Sequence, residues 1–149
     1  MSAETILKLS VGAHAWVNEK YGILDSGGTS TCASVDVIQS IADAWEPLER
    51  YPDLEACDKT FIFAGGEHAK SMTRAWMPNE IFTDGIAVST VACESTPLLI
   101  GTDMLRYYGL VLDYGYNTVY SHRLKRDVPC TRLPSGHLAI SMLPTEENY

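Results

Sequence analysis

The chain has 149 residues, 46% of them apolar, and a formal net charge of −8, a composition that fits one globular domain with a modest core. The acidity argues against non-specific nucleic-acid binding, which relies on Lys and Arg to neutralise phosphates, and no apolar run is long enough to cross a membrane as a helix. No basic segment followed by a long apolar stretch opens the chain, so it reads as not secreted, and Cys32, Cys57, Cys93 and Cys130, without CxxC spacing, read as four reduced thiols.

In chain order, Leu7, Leu9 and Val11 alternate with Lys8 and Ser10, the period-two pattern of a half-buried strand. Gly12 turns the chain, 13–17 return, and Asn18-Glu19-Lys20 form a second turn into Tyr21-Gly22-Ile23-Leu24. That short apolar strand stops at Asp25-Ser26-Gly27-Gly28. Ser34 is placed to cap a helix whose apolar face is Ile38, Ile41, Ala42 and Trp45, with Pro47 ending it. Residues 46–59 carry two prolines and several acids and are expected to be a surface loop. Phe61-Ile62-Phe63, the Gly65-Gly66 turn and Met72 to Met77 predict a hairpin, and 86–93 another strand.

Pro97-Leu98-Leu99-Ile100-Gly101 reads as a buried run closed by glycine, followed by a short helix capped by Thr102 or Asp103 and stopped at Gly109. Leu110-Val111-Leu112 and Thr118-Val119-Tyr120 flank a turn over 113–117, and Leu138-Ala139-Ile140 is a last strand. Many short strands with two short helices predict a mainly β fold, closed into a small barrel-like sheet.

Two segments carry chemistry. Ile23-Leu24-Asp25-Ser26-Gly27-Gly28-Thr29 resembles the hydrophobic-hydrophobic-Asp-Ser/Thr-Gly-Ala signature of aspartic proteases. Leu98-Leu99-Ile100-Gly101-Thr102-Asp103-Met104-Leu105 resembles the hydrophobic-hydrophobic-Gly segment that passes beneath the catalytic loop in retroviral and retrotransposon proteases, the retropepsins. Gly109-Leu110-Val111-Leu112-Asp113-Tyr114 is also similar to retrotransposon proteases, and the order fits from about residue 5 to 121. Gly28 stands where the family usually has Ala.

The resemblance implies a retropepsin-like domain over 1–121; residues 122–149 form a C-terminal extension past it, and either the N-terminal strand or the tail around Leu138-Ala139-Ile140 is expected to add an intersubunit sheet. It implies Asp25, Ser26 and Gly27 as the catalytic set. Two Asp25 carboxylates, one from each subunit of a homodimer, share one proton, because like charges so close cannot both ionise. One activates a water and the other hydrogen-bonds the scissile carbonyl. The Gly27 N–H fixes the carboxylate, and the Ser26 hydroxyl braces the two loops across the dimer axis. Gly65 and Gly66 fall at the tip of the candidate flap that closes over substrate. Gly28, Leu99 and Ile100 are the remaining candidate substrate-binding residues, with Leu24, Leu99 and Ile100 packed beneath the loop. Asp113-Tyr114-Gly115 has a bulky ring where Ser or Thr is required, so a second copy of the chain supplies the second acid.

The resemblance thus points to an aspartic endopeptidase that processes a retroelement polyprotein, in the cytoplasm or within a retroelement particle, needing no cofactor or metal. Its expected partners are a second copy and a peptide substrate, with no nucleic acid or membrane. A dimerisation or peptide-binding module without turnover remains the alternative. Taken singly, an Asp beside glycines is an ordinary turn residue, and Asp103 reads as a helix cap or structural partner. Trp16, Trp45 and Trp76 read as core or interface anchors, and His14, His68, His122 and His137 are too scattered for a metal site. Arg123-Leu124-Lys125-Arg126 reads as a solvated or processing stretch.

Overall fold

The computed structural model describes residues 20–62, 68–92 and 96–145. The expected strands over 7–11 and 13–17, the glycines Gly65 and Gly66, and Cys93 lie outside those residues. The elements run β1 (Tyr21–Leu24), β2 (Cys32–Ser34), α1 (Val35–Trp45), a 3-10 turn (Glu46–Leu48), β3 (Asp53–Ile62), β4 (His68–Met77), β5 (Ile86–Val91) and β6 (Leu98–Ile100). Then follow α2 (Thr102–Tyr107), β7 (Leu110–Asp113), β8 (Thr118–Ser121), β9 (Arg126–Val128), β10 (Thr131–Arg132) and β11 (Leu138–Ser141).

Among the described residues the fold is mainly β with two helices. Eight strands form one sheet in the order β10-β11-β1-β6-β2-β5-β4-β3, and β7-β8-β9 form a second. Among the described residues the barrel-like closure expected from the sequence is not found: the large sheet is open, with β10 and β3 as its edges. Its two edges are poorly matched for pairing. One is two residues long, whereas the other is a ten-residue strand whose first four residues are all exposed.

Period-two alternation sorts the central strands into two apolar layers. Leu24, Ala33, Leu98, Ile100, Leu138 and Ile140 join one cluster with the α1 face of Val37, Ile38, Ile41 and Trp45, and with Tyr108, Val119 and Val128. Ile23, Cys32, Leu99 and Ala139 belong to the other. The run Leu98-Leu99-Ile100 is apolar throughout because both of its faces are buried.

Three local expectations are revised. Residues 53–59 are strand, not loop, because β4 pairs with them from Asp53↔Trp76 to Ala56↔Thr73 and again from Lys59↔Ser71, with an irregularity between. Their polar, mostly exposed side chains carry no apolar period to announce a strand. Ser34 stands at the α1 N-cap, but its hydroxyl donates to the Thr96 carbonyl at 3.1 Å and not to the helix. β11 is paired on both sides within its own chain, to β1 (Ile23↔Ala139) and to β10 (Thr131↔Ala139). It therefore offers no free edge to a second subunit, and residues beyond 121 complete the main sheet.

Candidate active site

The Asp25 loop is built by the crossing of two strands. β1 runs parallel to β6, with Gly22↔Leu98, Ile23↔Leu99 and Leu24↔Ile100 in register. β6 also pairs antiparallel with β2 through Cys32↔Leu99. The loop over 25–31 is thus anchored at both ends to the same buried strand. The Asp25 N–H donates to the Ile100 carbonyl at 2.9 Å, and the Thr102 N–H donates to the Gly28 carbonyl at 2.8 Å.

Gly101 makes this crossing possible. A Cβ there would lie 2.8–2.9 Å from backbone atoms of Ser30, a contact that backbone cannot yield to cheaply. Asp103 then locks the loop from the other side. Its carboxylate accepts the Thr31 N–H at 3.0 Å, the Thr31 hydroxyl at 2.6 Å and the Met104 N–H at 2.8 Å. The Thr31 hydroxyl oxygen in turn accepts the Gly101 N–H at 3.1 Å. One carboxylate therefore joins the start of β2 to the first turn of α2, but neither Thr102 nor Asp103 is the cap expected from sequence: Gly101 holds the N-cap position, with no side-chain cap bond.

The catalytic candidates lie together at the end of β1. Asp25 is 3% exposed, and its Oδ1 accepts the Gly27 N–H at 3.0 Å. Ser26 and Gly27 are exposed beside it. Gly28 closes the turn by donating its N–H to the Asp25 carbonyl at 3.1 Å. A Cβ on Gly28 would sit 3.2 Å from Asp25 Oδ2, so the family's usual alanine would press on that oxygen. Leu24, Leu99 and Ile100 are buried under the loop. Leu99 and Ile100 belong to the two core layers and are absent from the cavity beside Asp25, so they support the site without lining it.

That cavity, of about 200 Å³, opens over Leu24, Asp25 and Ser26. Its other walls come from the β7–β8 turn, through Tyr114, and from the β10–β11 turn, through Ser135, Gly136 and His137. The Ser135 Oγ and His137 Nδ1 lie 2.8 Å apart in a hydrogen bond, and the His137 carbonyl accepts the Leu133 N–H at 2.8 Å. Burial pushes the His137 imidazole below its usual pKa range, and the charge of Asp25 acts in the opposite direction. Sequence reasoning left His137 among scattered histidines. The only local signal was a Ser-Gly-His turn ahead of an apolar strand, and nothing in that pattern points to Asp25.

β3 and β4 form the long hairpin expected between the two motif segments, paired to Ile62↔His68 at its outer end. Lys59 of β3 reaches back to the loop, its Nζ 3.3 Å from the Ser30 hydroxyl. Among the described residues, Cys57 and Cys130 form no disulfide. No described helix is long and apolar enough to cross a membrane. No family model, curated protein or solved structure matches this chain.

A buried carboxylate held by a backbone N–H and opening on a cavity can accept a proton from a water placed there. Each chain supplies one such loop.

Proposed function

We propose that the protein is an aspartic endopeptidase of the retropepsin kind, active as a homodimer in which two Asp25 carboxylates share one proton. In this reading one carboxylate takes a proton from the attacking water, whose oxygen bonds to the scissile carbonyl carbon. The other, protonated, hydrogen-bonds the carbonyl oxygen. The substrate is a peptide segment of a polyprotein, of the kind retroelements process.

The observation that carries the reading is the setting of Asp25. It is a nearly buried carboxylate at a strand end, oriented by the Gly27 N–H and seated over the β6-Gly101 crossing. A turn residue serving only the backbone has no need of that burial. The exposed Ser26 hydroxyl next to it is available for a bond to a second subunit. The β3–β4 hairpin, tied to the loop by Lys59 and Ser30, takes the part of the flap.

The test is peptide cleavage measured together with sedimentation across one concentration series. Specific activity falls on dilution in step with loss of dimer, and adding Asp25→Asn chains to wild type lowers activity beyond simple dilution. A strictly monomeric chain with full activity at every concentration overturns the dimeric reading.

A peptide-binding module without turnover is the second reading. Gly28 favours it, since glycine in place of the family's usual alanine gives the loop beside Asp25 more conformational freedom. Binding of a pepstatin-like inhibitor without cleavage of any peptide would decide for it.

A further inference from the structure

We propose that the β10–β11 turn forms a side-chain subsite of the active centre, in which Ser135 and His137 select a substrate residue bearing a carboxamide. The inference rests on the endopeptidase reading of Asp25 and deepens it. The turn lies outside the stretch that resembles retropepsins, so the subsite belongs to this chain's own C-terminal part.

The geometry is specific. The Ser135–His137 turn is held to the sheet by β11 pairing to β1, the same strand that ends in Asp25. Its side chains therefore stand at a fixed distance from the carboxylate. The cavity they share with Asp25 is bounded by Leu24 and Tyr114 as well, a mixed lining with a few convergent polar groups. His137 is 9% exposed, and its ring is oriented by the 2.8 Å bond between Nδ1 and the Ser135 hydroxyl. An oriented imidazole and a hydroxyl offer both donors and acceptors, as does the hydroxyl of Ser26, which also lines the cavity.

Charge decides which polar side chain fits. A carboxylate on the substrate would enter a cavity that already holds Asp25, and like charges disfavour it. An ammonium would pair with Asp25, occupying the carboxylate that this reading gives to the attacking water, and would shed its hydration on entry. A carboxamide, with two donors and one acceptor and no net charge, matches the lining. An apolar side chain would displace water from the polar groups of Ser26, Ser135 and His137 without replacing its hydrogen bonds.

The experiment profiles cleavage of a peptide library in which Asn or Gln is exchanged for Leu or Met at each position flanking the scissile bond. The readout is the ratio of kcat/KM between the two classes, so any general loss of activity cancels. Wild type should favour the carboxamide at one position by roughly tenfold or more. His137→Leu should erase that ratio, Ser135→Ala should reduce it, and His137→Gln should retain part of it. If His137→Leu does not fold, Ser135→Ala and His137→Gln decide alone. An active wild type with no carboxamide preference, or with a preference untouched by Ser135→Ala and His137→Gln, overturns the subsite but leaves the endopeptidase reading in place. A wild type that cleaves no peptide removes both.

Discussion

The chain contains two turns of the form Asp-X-Gly, and they bond alike. Asp25 Oδ1 accepts the N–H of Gly27 at 3.0 Å, and Asp113 Oδ1 accepts the N–H of Gly115 at 2.9 Å and of Tyr116 at 3.0 Å. Their surroundings differ completely. Asp25 is nearly buried, with β6 beneath it and Asp103 bracing the loop behind it. Asp113 is exposed, in a hairpin turn whose Tyr116 is 83% exposed. The same local hydrogen bond therefore serves a candidate catalyst in one place and an ordinary turn in the other. What separates them is the strand that lies underneath, because burial and fixed orientation are what give a carboxylate a directed role.

The sharpest way to break that contrast is to change each acid to its amide. Asn keeps the carbonyl oxygen that accepts the Gly27 or Gly115 N–H, so both turns should survive. Asp25→Asn should cost several orders of magnitude in kcat, as loss of one member of a catalytic unit does, whereas Asp113→Asn should leave turnover near wild type. Steady-state cleavage, with circular dichroism to verify the fold, checks both. Near-normal turnover by Asp25→Asn would remove this residue from the mechanism.

A smaller effect is expected in stability. Asp103→Ala strips the acceptor from the Thr31 N–H and hydroxyl and from the Met104 N–H, and Thr31 is fully buried. The loss should be about 2–3 kcal/mol, the cost of buried donors left without partners. Asp113→Ala should cost within about 1 kcal/mol, because water can satisfy the exposed Gly115 and Tyr116 N–H groups. Urea unfolding at one fixed protein concentration compares them. Equal losses would mean that the loop does not depend on the Asp103 brace.

The smallest effect expected is a pH dependence carried by His137. Its imidazole is held below the ordinary value of 6.5 in the folded chain, mainly by burial. The unfolded chain therefore binds the proton more tightly, and stability should fall as pH drops below about 6.5. Melting temperatures between pH 5 and 7.5 should fall more steeply on the acid side for wild type than for His137→Gln. Identical slopes would show that the His137 ring does not have to be desolvated and neutral in the native state.

The hairpin of β7 and β8 and the α1 face were legible because each depends on local chemistry. A turn rich in Asp, Gly and Asn separates two apolar runs, and apolar residues recur at helical spacing. Of β3 only the end at Phe61-Ile62 was legible; residues 53–59 were not, since their side chains are mostly exposed and only pairing with β4 makes them a strand. The open sheet was not legible either, because alternation states which face a residue takes but not which strand lies next to it.

Asp25 and Gly27 stood out in the sequence through the motif they share with aspartic proteases, and Gly101 through the glycine that closes an apolar run, where the close approach of Ser30 backbone admits no side chain. The company of Asp25 did not stand out. Asp103 reaches Thr31 across 72 positions, and His137 and Tyr114 arrive in its cavity through the pairing of β11 with β1 and the placing of the β7–β8 turn. Contacts of that range are set by strand order and packing, whose energy is spread over many apolar side chains, and no short pattern of residues encodes them.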